Sequence, residues 1–246
     1  MKVLGVIPAR FGAVRFPGKA LAPVLGKPMV QWVWEQALKS TRLDRLLVAT
    51  DDRRILEAVQ KFGGEAVMTS SELSSGTDRV WAAAKETGAE LILNIQGDEP
   101  LLQPAMVDRL IQGLLEDPAA QMVTLRFLMK GPDRFEDPNV VKVVVDGQDW
   151  ALYFSRALIP GLKAGRGAPA VWYKHLGIYG YRRQLLERFV SWAPSPLETT
   201  EGLEQLRALE HGVRIKVFDS PQDTSGVDTP EDLRRVEQVM KGAGLR

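Results

Sequence analysis

The sequence predicts an α/β fold in which a doubly wound, mostly parallel sheet carries an inserted, smaller lobe of mixed α/β structure. Short apolar runs alternate with segments of helical periodicity over the first half of the chain, and strands separated by single helices run parallel. After Met122, strand-like runs follow one another without helices between them. We therefore expect one compact unit of 246 residues, with a doubly wound α/β part over 1–121 and 215–246 and a second lobe over 122–214.

The elements of the first part have clear local signatures. Val3 to Ile7 is a β-branched strand, and Pro28 can open a helix whose apolar stripe includes Trp34. Leu46 to Thr50 is the second strand, after which Asp51 is the expected N-cap of a helix ending at two glycines. Two further strands are predicted at Ala66 to Met68 and Leu91 to Ile95. Two further helices are predicted to begin near Thr77 and at Pro104.

The second lobe and the C-terminus follow a different pattern. Strands are predicted at Met122 to Phe127, Val140 to Val145, Ala151 to Phe154 and His175 to Tyr181, with a glycine-rich loop over Gly161 to Pro169. One helix is predicted over Leu197 to Leu209 and one strand over Ile215 to Phe218. Thr229 and Pro230 then open the last helix as N-cap and first-turn proline, and this C-terminal part is expected to rejoin the first part.

Composition excludes several classes of protein. With 32 Lys+Arg and 31 Asp+Glu the net charge is +1, which gives no broad attraction to nucleic acid or acidic membranes. The absence of cysteine excludes disulfides, thiolate metal sites and cysteine nucleophiles, and fits a reducing compartment, so the cytoplasm is expected. No apolar run approaches the roughly 20 residues that a membrane helix needs.

The first predicted loop carries the residues of an anion-binding site. Between Pro8 and Lys19 it holds three cations, Arg10, Arg15 and Lys19, together with two glycines, which suits a polyphosphate. The loop is not a Walker P-loop, because five residues separate Gly12 from Gly18 and Ala20 follows Lys19. A solvated surface loop with scattered cations is the alternative interpretation.

Two acidic residues of the same α/β part are candidate metal ligands. Asp98 follows the strand at Leu91 to Ile95, where a carboxylate can hold magnesium together with phosphate oxygens. Asp228 precedes the last helix, where the helix dipole favours an acidic residue whatever its function. Each residue taken alone leaves open whether it binds metal or only caps a turn.

Taken together, ten segments resemble the 3-deoxy-manno-octulosonate (Kdo) cytidylyltransferase family. The resemblance extends in order over nearly the whole chain, and its segments around Arg156 and His175 are narrower than those shared with other sugar nucleotidyltransferases. The segments are Ile-Pro-Ala-Arg at 7–10, Pro-Gly-Lys at 17–19, Ala-Thr-Asp at 49–51, Ser-Gly-Thr-Asp-Arg at 75–79, Asn-Ile-Gln-Gly-Asp-Glu-Pro at 94–100, Leu-Tyr-Phe-Ser-Arg at 152–156, His-Leu-Gly-Ile-Tyr-Gly-Tyr at 175–181, Ser-Pro-Leu-Glu at 195–198, Leu-Glu-Gln-Leu-Arg at 203–207 and Val-Asp-Thr-Pro-Glu-Asp at 227–232.

The resemblance implies a nucleotide-diphospho-sugar transferase-like fold, a cytoplasmic homodimer assembled through the second lobe, and CMP-Kdo formation from CTP and Kdo for lipopolysaccharide biosynthesis. It implies magnesium held by Asp98 and Asp228, which with Arg10 and Lys19 form the catalytic set. The implied nucleotide-binding residues are Ala9, Arg10, Arg15, Lys19, Ser75, Gly76 and Arg79. The implied sugar-binding residues are Gln96, Arg156, His175, Tyr179, Glu204 and Gln205.

Physical reasoning refines the assignment of Arg156 and leaves others open. The planar fork of Arg156 matches the carboxylate of an acidic sugar. His175 and Tyr179 can equally be buried structural residues, and His211, outside every motif, is expected in the core or at the surface. Two rival functions remain, namely CMP activation of a sialic acid or another sugar acid, and a nucleotide-sensing or structural protein of the same fold that lacks activity.

Overall fold

The computed structural model describes residues 2–12, 16–132, 134–163 and 171–244. It confirms the predicted fold class, an α/β protein with a mostly parallel sheet and an additional mixed part. The chain forms two compact units, Met1–Ile111 with Thr224–Arg246 and Gln112–Asp223. These limits differ from the predicted 121/122 and 214/215, because the strand after residue 214 pairs with a strand of the second unit.

The first unit contains parallel strands joined by helices, as the periodicity predicts. A two-stranded hairpin and one short 3₁₀ turn, Lys19–Leu21, are inserted before the first helix. The elements are β1 Val3–Ala9, β2 Pro23–Val24, β3 Lys27–Pro28, α1 Met29–Ala37, β4 Arg45–Thr50, α2 Arg53–Lys61, β5 Ala66–Met68, α3 Gly76–Ala84, β6 Leu91–Asn94, the start of α4 Pro104–Glu116, and the C-terminal helix, which is numbered last.

The strand order places a topological switch point between β1 and β6. Within the first unit, β1 pairs in parallel with β4 on one side and with β6 on the other, and β4 pairs with β5. The chain therefore winds outward from β1 to β5 and then returns to the opposite side of β1. In open α/β sheets the crevice for a ligand lies at the carboxyl ends of the strands beside such a reversal.

The C-terminal helix packs with the hairpin and α1 in one apolar cluster of the first unit. The indole of Trp32 is buried there, and its Nε1 donates a 2.7 Å hydrogen bond to the Val24 carbonyl. Trp34, predicted on the apolar stripe of α1, is buried as well, and Trp32 and Trp34 have 3% and 8% of their surfaces exposed. The buried members of this cluster are Val24, Met29, Trp32, Val227, Val236 and Met240.

The second unit is built on antiparallel and mixed pairing, as predicted. Its central strand pairs antiparallel with the long strand that follows the glycine-rich loop and parallel with the last strand. The elements are the end of α4, β7 Met122–Lys130, β8 Lys142–Val145, β9 Ala151–Ser155, β10 Val171–Arg182, α5 Arg183–Ser191, α6 Pro196–Glu201, α7 Gln205–Glu210 and β11 Ile215–Asp219, and the chain then returns to the first unit with α8 Pro230–Gly242.

Two local predictions were wrong, one helix was not predicted, and one prediction falls on residues that are not described. The helix expected over Leu197 to Leu209 is two helices, because Gly202 has φ of +62° and ends α6 in the left-handed conformation. Helix α5 was not predicted, and the N-cap of α2 is Asp52 instead of Asp51. Residues 164–169 of the expected glycine-rich loop lie outside the described residues. No helix in the described ranges is both long and apolar enough to cross a bilayer.

Candidate active site

The loop after β1 is closed by a backbone contact that brings Lys19 back toward the strand end. The Gly18 N–H donates a 2.8 Å hydrogen bond to the Phe11 carbonyl, and Gly18 adopts φ of +72°, a conformation that glycine reaches without strain. The 3₁₀ turn starts at the next residue. Arg10 is exposed and, among the described residues, has no ion-pair partner. Arg15 falls within 13–15, outside the described residues.

The loop after β6 contacts the end of β1 directly at Gly97. A Cβ atom on Gly97 would lie 2.9 Å from the Pro8 carbonyl oxygen and 3.3 Å from the Ile7 side chain. No side chain fits in that space without moving the backbone, so glycine permits the two loops to touch. Asp98 follows at once and is thereby positioned beside the first loop.

A third segment, just before α8, brings Asp228 to the same place. The Val227 N–H donates a 2.9 Å hydrogen bond to the Asp98 carbonyl, which joins this segment to the loop after β6. The predicted N-cap is confirmed, and it is part of a capping box in which Thr229 and Asp232 each accept a hydrogen bond from the backbone N–H of the other. Asp232 Oδ2 also accepts from the Asp228 N–H at 3.2 Å. The cap therefore fixes the backbone on which Asp228 is carried.

Lys19 connects the two acidic residues. Its Nζ donates to Asp98 Oδ2 through a short contact, to Asp228 Oδ1 at 3.2 Å and to the Val227 carbonyl at 3.3 Å. Burial alone would lower the pKa of Lys19, but the two carboxylates outweigh it and raise that pKa above its ordinary value. Lys19 is therefore an ammonium cation between two carboxylates at neutral pH.

The start of helix α3 also contributes to this site. Ser75 is its N-cap and forms a capping box with Asp78, and Gly76 is the first helical residue. Arg79 is 2% exposed, and its guanidinium donates to Asp51 Oδ2 at 2.8 Å, to Thr69 Oγ1, and to the Ser70 carbonyl at 3.3 Å. Asp51, which the sequence analysis expected to cap α2, is instead the ion-pair partner of Arg79.

These three loops and α3 enclose one cavity of about 280 Å³, and all its lining residues belong to the first unit. Nine of the residues singled out from the sequence lie on its wall, namely Ala9, Arg10, Lys19, Ser75, Gly76, Arg79, Gln96, Asp98 and Asp228. The other lining residues are Pro8, Phe16, Ala20, Leu73 and Gly97. The volume is close to the lower limit of small-molecule sites, about 300 Å³.

The chemistry of this wall suits a polyphosphate with a hard cation. Arg10 and Lys19 supply positive charge, and the N-terminus of α3, with Ser75 and Gly76 on the wall, adds the positive end of a helix dipole. Asp98 and Asp228 already converge on one cation, the Lys19 ammonium. In the described part of the chain no group of three or more His, Cys, Asp and Glu could hold a metal. Two carboxylates suffice for magnesium, which fills its shell with water and phosphate oxygens.

Of the residues expected to bind a sugar, Gln96 lines this cavity and the other five lie in the second unit. Within that unit, the Arg156 guanidinium donates through Nε to the Glu201 carbonyl at 2.8 Å and through Nη1 to the Pro138 carbonyl at 3.1 Å. Glu204 is the N-cap of α7, and Gln205, its first residue, is 4% exposed. Gln205 Nε2 is buried without a hydrogen-bond acceptor among the described residues.

His175 and Tyr179 belong to a ladder of rings on β10. The His175 ring lies 4.8 Å from the Phe154 ring and 5.5 Å from that of Tyr179, and its Nε2 is 3.0 Å from Thr124 Oγ1. Burial, with a smaller contribution from the charge of Lys174, lowers the pKa of His175 to about 3. His175 is therefore neutral and hydrogen-bonded in a buried position, and His211, on the surface, stacks on Trp192 at 4.1 Å.

Sequence reasoning missed two residues of this unit that hold Arg156 in place. Glu201 accepts from the Arg156 N–H at 2.9 Å and from Ser155 Oγ at 2.6 Å. Lys142 is fully buried, and its Nζ donates to the carbonyls of Asp137, Val140 and Arg156 at 3.1, 2.8 and 2.7 Å. A lysine inside a run of valines was the available signal, since a buried ammonium needs several oxygen partners.

Comparisons with known proteins agree with this geometry. A family model described as cytidylyltransferase matches residues 4–215. A relative from Geobacter sulfurreducens, named 3-deoxy-manno-octulosonate cytidylyltransferase, is 47% identical and covers 98% of this chain and 100% of its own. One of the same name from Syntrophobacter fumaroxidans is 49% identical over 98% of this chain and 97% of its own.

Solved structures are similar as well. A CMP:2-keto-3-deoxy-manno-octonic acid synthetase complexed with CTP superposes with a TM-score of 0.93 at 42% identity, covering 99% of this chain and 100% of that one. A cytidylyltransferase from Leptospira borgpetersenii, with a TM-score of 0.66 at 18% identity over 98% of this chain and 87% of that one, shares the fold alone.

Proposed function

The chain belongs to the 3-deoxy-manno-octulosonate cytidylyltransferase family, and from this premise we propose that the cavity of the first unit binds CTP and magnesium. The enzyme activates Kdo with CTP and produces CMP-Kdo and pyrophosphate. The anomeric oxygen of Kdo bonds to the α-phosphorus of CTP, while the bond from that phosphorus to the oxygen bridging the β-phosphate breaks. We further propose that the product serves lipopolysaccharide biosynthesis and that the enzyme acts in the cytoplasm.

One observation supports the location of the reaction in this cavity most directly. Asp98 and Asp228, which come from loops far apart in the sequence, both contact the same ammonium nitrogen. Two carboxylates that share one cation form an arrangement that suits a divalent ion next to a triphosphate. When bound, magnesium supplies charge neutralisation at the phosphates and lowers the pKa of the attacking hydroxyl.

The residues of this chain have separate tasks in the proposed mechanism. Arg10 and Lys19 neutralise the triphosphate, with Arg10 at the end of β1 facing the charge that develops on the leaving pyrophosphate. Asp98 and Asp228 hold magnesium. Phosphoryl transfer of this type asks the protein mainly for alignment and charge neutralisation, so no dedicated general base is required.

The remaining residues of the cavity wall position the nucleotide in this proposal. Ala9, Ser75 and Gly76 present backbone groups to the cytosine, which is the proposed source of selectivity for CTP. Arg79 acts as a positioning residue, because its guanidinium is bound to Asp51 and to the segment at 69–70. Arg15 completes the cationic loop in this proposal.

The second unit is proposed to bind Kdo. Arg156 would face the carboxylate of the sugar acid, and Gln205 has a buried amide donor free of hydrogen-bond acceptors in the described part of the protein. His175, Tyr179 and Glu204 are the other residues of this unit in the proposed set. The neutral state of His175 favours hydrogen bonding to sugar hydroxyls over pairing with the carboxylate.

We also propose that the enzyme is a homodimer assembled through the second unit. Apolar side chains on its strands are open to solvent, with Leu152 61% and Val171 52% exposed. Such side chains on sheet strands favour covering by a second copy. Light scattering should report about twice the chain mass of 27.3 kDa. A monomer at micromolar concentration would refute this assembly.

A pyrophosphate-release assay tests the assigned function. Each of CTP, UTP, ATP and GTP is combined with Kdo or with a sialic acid, with and without magnesium. We expect release with CTP, Kdo and magnesium together, and little with any other combination. Equal turnover of sialic acid would overturn the choice of Kdo as the sugar acid. Turnover without magnesium in the presence of EDTA would show that the reaction does not need the metal.

The metal ligands are tested by Asp98→Asn and Asp228→Asn. Each should lower kcat by about 100-fold or more while circular dichroism stays native, because an amide no longer offsets the charge of the metal. Glu231→Gln is the matched control, since Glu231 is an exposed carboxylate near Asp228 that pairs only with surface Arg234 in the described structure. Activity near that of the wild type in either Asp variant would show that the substituted residue is not a metal ligand.

A further inference from the structure

The Lys19 ammonium has no hydrogen-bond donor left for a substrate. An ammonium has three N–H donors, and Nζ is surrounded by three oxygen acceptors: one from Asp98, one from Asp228 and the Val227 carbonyl. The side chain is 19% exposed, and the cavity wall includes Lys19 together with both carboxylates. In this state Lys19 is committed to the acidic pair and not to the space where the phosphates would bind.

The same two carboxylates are the proposed ligands of magnesium. Lys19 uses one oxygen of each, Asp98 Oδ2 and Asp228 Oδ1. Magnesium binds oxygens at about 2.0–2.1 Å, so a metal ion on this pair would lie close to the ammonium. Two like charges held that close would repel each other strongly in a partly buried site. Contact of Lys19 with the pair and binding of magnesium to the pair therefore compete.

From this competition we propose that Lys19 is an internal cation that occupies the Asp98–Asp228 pair until CTP arrives, so that magnesium enters the site together with the nucleotide. The triphosphate supplies new acceptors for the ammonium, which then leaves the carboxylates to the metal. Metal and nucleotide consequently strengthen each other's binding, and the coupling is reciprocal. The inference rests on the proposed metal ligands and adds how access to them is controlled.

The coupling gives the metal site a function that its two carboxylates alone would not provide. Without Lys19, a pair of carboxylates in the cavity would take up a divalent ion whether or not nucleotide were present. With Lys19 the resting site is already neutralised in part, since one positive charge is set against two negative ones. The enzyme is thereby kept free of a metal that would have to rearrange when CTP binds.

The test measures metal binding by the nucleotide-free protein and does not depend on activity. Mn²⁺ serves as the probe, because the electron paramagnetic resonance signal of the free ion disappears when it binds. We expect Lys19→Met to bind Mn²⁺ more tightly than the wild type by about tenfold or more, a usual size for coupling between two sites. Lys19→Gln provides a second neutral variant, and circular dichroism checks that both are folded.

Two further variants make the result specific. Lys27→Met is the matched control, because Lys27 pairs with Glu35 on the surface of the same unit and its loss should leave Mn²⁺ affinity unchanged. The double variant Lys19→Met with Asp98→Asn should lose the gained affinity. If it keeps that affinity, the metal binds elsewhere, and the proposed site fails together with the inference.

Equal Mn²⁺ affinity of the wild type and Lys19→Met would overturn the inference. If both were weakened by Asp98→Asn, the metal site itself would stand and only the role of Lys19 would be lost. Failure of every variant to bind Mn²⁺ would also overturn it, because removal of the ammonium would then not have released a site.

Discussion

The guanidinium of Arg79 lies 2.8 Å from the Asp51 carboxylate and joins the first turn of α3 to the residue that follows β4. Arg79 is 2% exposed, so this ion pair is shielded from water. Because Asp51 pairs with Arg79, it does not cap α2. Asp52 is the N-cap instead and accepts a 2.9 Å hydrogen bond from the Arg54 N–H. The pair fixes α3 at the wall of the cavity.

The first prediction follows from that pair. Arg79→Met and Asp51→Asn should each lower the free energy of unfolding by about 3 kcal/mol or more, because removal of one partner leaves a buried charge uncompensated. Both should also raise the KM for CTP by displacing α3. Urea denaturation and initial-rate kinetics measure these effects.

The exposed pair Lys27–Glu35 is the matched control for the buried one. Glu35→Gln breaks a 2.8 Å ion pair whose side chains are about one-third exposed, and it should cost no more than about 1 kcal/mol. A loss at Arg79 as small as that at Glu35 would show that the buried pair does not hold α3.

The second prediction concerns Gly97. Gly97→Ala places a methyl group 2.9 Å from the Pro8 carbonyl oxygen, so the loop carrying Asp98 must move away from β1. We expect a loss of about 1–3 kcal/mol in the free energy of unfolding and weaker CTP binding in calorimetry. Gly147→Ala, at an exposed turn where a Cβ meets nothing within 4 Å, is the control. Unchanged CTP affinity in Gly97→Ala would mean that contact between the loops does not shape the site.

Local signals were sufficient for most elements of the fold. The strand Ala66–Met68 and the Thr229 cap have the predicted bounds, because both depend on residues close in sequence. The break at Gly202 was readable as a helix C-cap, and α5 was readable from the spacing of Leu185, Leu186 and Phe189. Both features were therefore predictable from residues close in the sequence.

Contacts between distant segments could not be read from periodicity. Asp51 and Asp52 are adjacent acidic residues before one helix, and the choice of cap depends on an arginine 28 positions away. Lys19 meets Asp98 and Asp228 across 79 and 209 positions. The motifs indicated which residues would gather at the strand ends, but only the fold shows that the ammonium lies between the two carboxylates.

The third prediction is a dependence of stability on pH that originates at His175. Its pKa is about 3 in the folded protein, mainly because of burial, against 6.5 for the ordinary imidazole. Between pH 6.5 and pH 3 the imidazole of His175 is protonated in the unfolded chain but neutral in the folded protein. The contribution of this group to stability is therefore fully present above pH 6.5 and is lost as the pH falls toward 3. At about 1.36 kcal/mol per pH unit, the loss from this group at pH 5 is ~2 kcal/mol.

Denaturation at pH 7 and pH 5 isolates that effect. The difference between the two free energies of unfolding should be smaller by ~2 kcal/mol in His175→Gln than in the wild type, since the variant has no imidazole to protonate. His211→Gln, which removes an exposed imidazole, is the matched control. The same difference in His175→Gln and in the wild type would contradict a neutral, buried His175.

The last prediction tests recognition of the acidic sugar at Arg156. Its guanidinium is oriented by carbonyls of Glu201 and Pro138, so the side chain is held in place before substrate binds. Arg156→Ala should lower kcat/KM for Kdo by about 30-fold to several thousand-fold, because the carboxylate of the sugar loses its cation. Arg156→Lys keeps the charge but cannot span both carbonyls and a carboxylate, so it should recover only part of the loss.

Calorimetry of CTP binding decides how the Arg156 result is interpreted. CTP affinity should stay within about twofold of the wild type in Arg156→Ala, since the proposed nucleotide site consists of residues of the first unit. Arg188→Ala, which removes an exposed arginine of the second unit bonded to Gln121, should change neither Kdo turnover nor CTP binding. Loss of the two carbonyl contacts should lower the free energy of unfolding by about 1–2 kcal/mol, which urea denaturation separates from the kinetic effect. If CTP affinity falls together with Kdo turnover, Arg156 supports the structure or the nucleotide site, and its assignment to the sugar carboxylate is wrong.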